Sequence, residues 1–324
     1  MRLSILDLAL VRRGQPVREA LLETVALAQR AEALGRFERI WYAEHHNMSA
    51  IASAATSVLI AHIAAATSTI RVGAGGVMLP NHSPLVIAEQ FGTLAELHPG
   101  RIDLGLGRAP GTDQRTLLAL RRDPRASEYF PQDILELQGY LGDESRIEGI
   151  AATPGRGTHV PLYILGSSLY GAQLAAALGL PYAFASHFAP DALEQAVEAY
   201  RAGFRRSDQL DQPYVIAACN VVAVDDPAEA GSMYEKVLRS RARRMVTASG
   251  PLSESDVDAL MAGPAGAQAR HMLRYCAVGD GPAVAAYLSS FAERVHADEV
   301  MVTNQALGLD ARLRALEILA TACP

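Results

Sequence analysis

Residues 41–50 read WYAEHHNMSA, which sets Glu44, His45 and His46 in a row. A carboxylate beside two imidazoles can accept, hold and return a proton near neutral pH. Neighbouring side chains on an extended segment point to opposite sides, so His45 and His46 are poorly placed to share one metal ion. The helical HExxH spacing is also absent, and no metal site is expected. One imidazole is expected to face a site, exchanging a hydrogen bond with a reacting oxygen while Glu44 influences its charge. A structural histidine bonded to loop backbone is the competing account.

Three further stretches offer chemistry. Gly75 and Gly76 lack side chains where a β-branched run ends, which permits unusual backbone geometry and lets a flat ligand lie against the chain. Taken alone, a tight strand-to-helix turn is the simpler account. The run from Gly105 to Gly111 evokes a dinucleotide fingerprint, but Pro110 occupies the third glycine position and Arg125 stands about where an acidic residue is needed. A Rossmann site is therefore excluded. Arg108 instead presents a planar fork suited to an anion, with an ion pair at the rim as the alternative. In Gly166-Ser167-Ser168-Leu169-Tyr170-Gly171, small hydroxyl residues precede a helix, so free N–H groups, the helix dipole and the hydroxyls could bind one phosphate. A plain N-cap by Ser167 or Ser168 competes with that reading.

The elements that must position these residues alternate. Strands are expected over 3–10, 39–43, 69–73, 101–106, 162–165, 182–185, 214–224 and 299–303. Helices follow over 16–35, 51–63, 85–97, 131–141, 173–178, 192–204 and 283–294, with a closing helix after 309. Serial βα units imply a parallel sheet. About eight of them over roughly 250 residues suit a closed (β/α)8 TIM barrel rather than an open sheet. Residues 1–324 are read as a single domain. The segment 225–279, with Arg239, Arg241, Arg243, Arg244 and breaks at Gly250-Pro251 and Gly263-Pro264, reads as an insertion between the seventh and eighth strands, placed to serve as a lid. In such a barrel the site lies at the C-terminal ends of the strands, where the four stretches fall. Arg108 and the serine loop on two such ends favour a phosphate over a cap.

With 324 residues, 50% apolar and 20% charged, the composition suits a large buried core. A net charge of −6 without a basic block argues against nucleic acid or an anionic membrane as the main partner, and favours a small-molecule substrate. Cys219, Cys276 and Cys323 form neither a close ligand pair nor a disulfide framework, so a cytoplasmic location is expected. No signal peptide or transmembrane segment is expected.

The runs WYAEHHN, IRVGAGGVMLPNHSPLVIAEQFGTLAELHPGRIDLGLGRAPGTD and LYILGSSLYGAQLAAALGLPYAFASHFAP, with the closing VGDGPAVAAYLSSFAERVHADEVMV, resemble the bacterial luciferase-like flavin monooxygenases, especially the single-chain alkanal-monooxygenase-like group. The resemblance runs nearly end to end and is weakest over 122–161 and in the insertion. It implies a TIM-like barrel that takes reduced FMN from a separate NAD(P)H:flavin reductase and reacts it with O2. The resulting C4a-hydroperoxide is kept from water while a small apolar substrate, such as an aldehyde or ketone, is oxidised. By the same resemblance His45 lies at the reactive edge of the flavin, with Glu44 and His46 in support. A non-prolyl cis peptide at Gly75-Gly76 supports the ring. Arg108 and the loop Gly166, Ser167, Ser168, Leu169, Tyr170 and Gly171 bind its phosphate. Homodimerisation is implied too. The sequence departs from bacterial luciferase at Gly107, which replaces that enzyme's reactive cysteine, and in LGRFERIW, which is one residue longer than the usual turn. Related barrels use the deazaflavin F420 for hydride transfer, and a flavin-binding protein without turnover is the alternative from outside the enzymes.

Overall fold

The computed structural model describes residues 1–109, 113–123, 125–246 and 252–323. Its strands are β1 (Arg2–Asp7), β2 (Phe37–Tyr42), β3 (Arg71–Met78), β4 (Ile102–Gly107), β5 (Leu162–Gly166), β6 (Tyr182–Phe184), β7 (Val215–Ala223), β8 (Cys276–Gly279) and β9 (Glu299–Asn304). Strands β1 to β7 follow one another around a parallel sheet, and β9 pairs with both β7 and β1. The result is the expected closed eight-stranded barrel, with β8 as an additional strand. The first part of β7 pairs with β6 and its second part with β8, while β9 runs along its other edge. Strand β8 therefore extends the sheet at the C-terminal mouth.

Helices α1 (Val17–Leu34), α2 (Thr56–Ala65), α3 (Pro84–Leu97), α4 (Gln114–Ala119), α5 (Phe130–Leu141), α6 (Leu169–Leu178) and α7 (Leu193–Gly203) cover the first six crossovers. The insertion holds α8 (Pro227–Arg244), α9 (Glu254–Ala262) and α10 (Pro264–Met272), and α11 (Gly281–Arg294) and α12 (Leu309–Ala322) complete the ring. Helix α1 stops where the periodicity ends, because Gly35 takes a left-handed φ of 62° and its N–H caps the Glu32 carbonyl. The insertion has an apolar nucleus of its own, in which Val237, Leu238, Val257 and Met261 pack onto Val222 and Cys276. The expected break at Gly250-Pro251 lies outside the described residues, as do Pro110 and Gly111.

Three expectations fail locally. Helix α2 begins at Thr56 rather than near 51, and Val58, placed on its apolar face, is 68% exposed. The preceding segment is tied down as loop instead: the Ser53 hydroxyl donates to the Ala43 carbonyl, and its own carbonyl accepts from His45 N–H. Strand β3 continues through Gly75 and Gly76 to Met78, with an irregular register between Ala74 and Val77, so the glycines are strand and not a turn. Helix α4, capped by Asp113 accepting from Thr116 N–H, lies in a stretch expected to be irregular.

Inside the barrel, Leu6, Trp41, Tyr163, Ile216 and Met301 form one packed layer. Nearer the N-terminal ends, Arg39 bridges Asp103 at 2.8 Å and Glu299 at 3.0 Å and donates to the Tyr163 hydroxyl at 2.7 Å. Asp103 also accepts from the Trp41 indole at 3.0 Å and pairs with Arg71. Buried charges are tolerable only when paired and hydrogen-bonded in this way. This closed network seals the bottom of the barrel, whereas His45 and His187, past the C-terminal ends of β2 and β6, each keep a buried Nδ1 without a partner among the described residues.

Candidate functional site

Glu44 follows β2 directly and is 1% exposed. Its carboxylate lies 2.8 Å from His46 Nε2 and 2.9 Å from His82 Nε2, and accepts from Met78 N–H at 3.1 Å and Asn81 Nδ2 at 3.3 Å. Burial opposes the charge, but the two imidazoles and the amide donors outweigh it and hold the carboxyl down at about 2. The bond to Glu44 in turn raises His46. Glu44 thus anchors the loop after β2 to the segment after β3. Glu44, His46 and His82 also offer one ligand atom each within 4.8 Å, a set that includes a histidine the sequence reading did not consider. Their separations are those of hydrogen bonds, which account for the cluster.

His45 turns away from that hub. Its backbone is fixed by Ser53, while Nδ1 is buried with no hydrogen-bond partner among the described residues. Burial lowers its pKa, the nearby Glu44 charge opposes this, and His46 adds to the lowering. A neutral ring with an uncommitted nitrogen can take up or release a proton. Glu44 therefore acts on His45 through space and through the loop, and its hydrogen bonds go to His46 and His82.

Gly75–Gly76 is a cis peptide bond between non-proline residues, as the resemblance implied. A Cβ on Gly76 would lie 2.7 Å from the Gly105 carbonyl oxygen, and one on Gly105 would lie 2.3 Å from that of Ala74. Glycine is required here by the close approach of β3 and β4. A methyl on Gly107 would meet only the Met78 side chain, with its sulfur at 2.9 Å.

Arg108 follows β4, and its guanidinium stacks 4.0 Å above the Tyr170 ring in the first turn of α6. The two distant loops therefore meet. Neither competing local account operates: Arg108 has no carboxylate partner among the described residues, and Ser168, at the N-cap of α6, makes no side-chain capping bond. The helix begins at Leu169, earlier than expected, and a Cβ added to Gly166 would lie 3.5 Å from the Gly171 Cα beneath it. Ser167, Ser168 and Tyr170 are exposed, so a guanidinium, two hydroxyls and a helix N-terminus stand together at the mouth.

The opposite wall was missed by the sequence reading. His187, shortly after β6, is buried with Nδ1 unpartnered. Burial first, then Arg241 and His45, push it down to about 3. Asn220 Nδ2 donates to the His187 carbonyl at 2.9 Å, and Gln305 Nε2 donates to Asn220 Oδ1 at 3.0 Å. A hollow of about 620 Å³ opens at the other end of the barrel, beside Met1, His296 and the Arg201–Asp298 pair. It touches none of these strand-end groups, and its ion pair is already satisfied at 2.6 Å.

Comparison with known proteins agrees with this architecture. The family described as "Luciferase-like monooxygenase" matches residues 1–297. A luciferase-like monooxygenase of Escherichia coli strain K12 is 46% identical over 97% of this chain and 95% of its own length. Among solved structures, apo-MsnO8 superposes with a TM-score of 0.85 at 35% identity, covering 99% of this chain and 98% of that one. The fold alone is shared with the oxygenating constituent of 3,6-diketocamphane monooxygenase from Pseudomonas putida. That match has a TM-score of 0.73 and 16% identity, over 99% of this chain and 96% of that one. A barrel whose Glu44 hub, cis glycine pair and Arg108–Tyr170 contact gather at one mouth, matched by family and relatives nearly throughout, belongs to the luciferase-like monooxygenase family of oxidoreductases.

Proposed function

We propose that the chain is an FMN-dependent, two-component monooxygenase of the cytoplasm, working as a homodimer with reduced FMN from a separate flavin reductase. The observation that carries this reading is the Arg108–Tyr170–Ser168 cluster: an unpaired guanidinium and an idle N-cap hydroxyl on one helix start fit a phosphate monoester. We place the flat ring against the Gly75–Gly76 backbone, at the mouth beside His45. The Pseudomonas fold neighbour was solved in complex with FMN, which supports the choice of cofactor. No helix among the described residues is long and apolar enough to cross a membrane, in keeping with that location.

When bound, reduced FMN supplies the two electrons that activate O2, so that one oxygen atom enters the substrate, an organic molecule with an apolar reacting portion such as an aldehyde or ketone, and the other leaves as water. The chain's own part is positional. Arg108, the two serines and the helix N-terminus hold the phosphate. His45 Nδ1 holds or moves one proton at the ring edge, and Glu44 fixes the loop that carries it. The test is rapid mixing of protein and reduced FMN with O2. The wild type should delay the return of oxidised-flavin absorbance relative to free FMN, and His45→Ala should abolish the delay. Reoxidation at the free-flavin rate in the wild type would refute the reading.

A further inference from the structure

Helix α8 carries four arginines near its end, and their partners differ. Arg239 pairs with Glu254 at 2.8 Å and Asp258 at 2.6 Å, and Arg243 with Glu254 at 2.6 Å, so both are neutralised by α9. Arg244 donates to Ser240 on the exposed side of the helix. Arg241 is half-buried and turns the other way, with Nη2 donating to Gln305 Oε1, just past β9, at 3.4 Å. It has no carboxylate partner among the described residues, and the sequence places no Asp or Glu at 110–112, 124, 247–251 or 324. A guanidinium has five N–H donors, and here one long bond uses one of them. Its other donors have no hydrogen-bond partner among the described residues, and the side chain is half-buried rather than enclosed.

Its support is rigid. Gln305 Nε2 is committed to Asn220 Oδ1 at 3.0 Å and Thr303 Oγ1 at 3.2 Å, which turns the amide oxygen toward Arg241. Asn220 is fully buried and also holds the His187 carbonyl. Arg241 stands at the C-terminal mouth, because its partner Gln305 lies just past β9 and is tied to Asn220 of β7, which also holds the His187 carbonyl. In the strand order β9 stands across the barrel from β4, so Arg241, held by Gln305 past β9, and Arg108 occupy opposite walls. Partial burial, and after it the neighbouring Arg244 guanidinium, cost this cation and lower its pKa to about 10. A protein keeps such a group where a ligand supplies the missing charge.

We propose that Arg241, oriented by Gln305, binds the carboxylate head of the organic substrate, whose apolar remainder extends toward His45. The position of the reacting end rests on the flavin reading above, whereas the anion site stands on its own contacts. It makes Arg241 a specificity-determining residue on the wall opposite the cofactor phosphate.

The experiment is calorimetric titration of the full chain at low ionic strength with octanoate and with octanamide, comparing wild type, Arg241→Gln and Arg241→Lys, and with FMN in parallel. The wild type should prefer octanoate by about tenfold or more, as a charge-assisted hydrogen bond implies. Arg241→Gln should bind the two equally while FMN affinity stays unchanged, and Arg241→Lys, which keeps the charge, should retain part of the preference. Equal binding by the wild type, a preference that survives in Arg241→Gln, or a matching loss of FMN affinity in that variant would each overturn the proposal. A carboxylate preference in a protein that does not bind FMN would support the anion site and sink the flavin reading alone.

Discussion

Replacing Glu44 by Gln tests the hub that organises the mouth. The carboxyl is 1% exposed, and its pKa is held at about 2 against an ordinary 4.5, so solvent screening removes little of the effect. A depression of that size corresponds to about 3 kcal/mol of native-state stability. The count of bonds agrees: two imidazoles and two amide donors surround the group, and bonds to a charged acceptor contribute about 1.5–3 kcal/mol each before desolvation. The stabilisation is complete above the unfolded value of 4.5 and drains away as the pH falls toward 2. Urea unfolding of wild type and Glu44→Gln should therefore differ by about 3 kcal/mol at pH ~7, and the gap should narrow by about 2 kcal/mol at pH ~3. Proton titration by NMR should show His46 losing its upward shift in the variant, since its largest cause is the Glu44 bond. A gap that does not change with pH, or a His46 titration that does not move, would refute the assignment of Glu44 as the charged centre.

Gly105→Ala should cost about 1–3 kcal/mol in the same unfolding assay, because its methyl would meet the Ala74 carbonyl at 2.3 Å, while Gly107→Ala meets only a flexible methionine and should cost less than about 1 kcal/mol. His187 should make the native state acid-sensitive. Its folded pKa is depressed to about 3 from 6.5, so stability is full above 6.5 and is lost as the pH falls toward 3. Relative to His187→Asn, the wild type should lose about 2 kcal/mol between pH ~7 and pH ~5, measured by thermal or urea unfolding.

The architecture was legible because most strands are short, largely apolar runs and most crossover helices show a period, with a clear stop as at Gly35. Candidate site residues were legible where chemistry-bearing side chains closely follow such a strand, as with Glu44, His45 and Arg108. Misjudged ends hid the rest. Ending β3 at Gly73 drew attention to the glycines and away from His82, which lies just past the true end at Met78. Starting α6 near 173 left Tyr170 in a loop, although it stands on the helix turn that receives Arg108. His187 could have been found by the same inspection of strand ends. Arg241 could not: four arginines on one helix look alike until α9 supplies acids to Arg239 and Arg243, and that choice of partner is a tertiary fact.

The loops after β4 and β5 are proposed to converge on a flavin phosphate, and comparing FMN with riboflavin isolates that phosphate. Fluorescence titration should show FMN bound at least about tenfold more tightly than riboflavin by the wild type. Arg108→Ala should weaken FMN binding roughly ten- to hundredfold and leave riboflavin nearly unaffected. Equal affinity of the wild type for the two flavins, or an Arg108→Ala variant that weakens both alike, would contradict it.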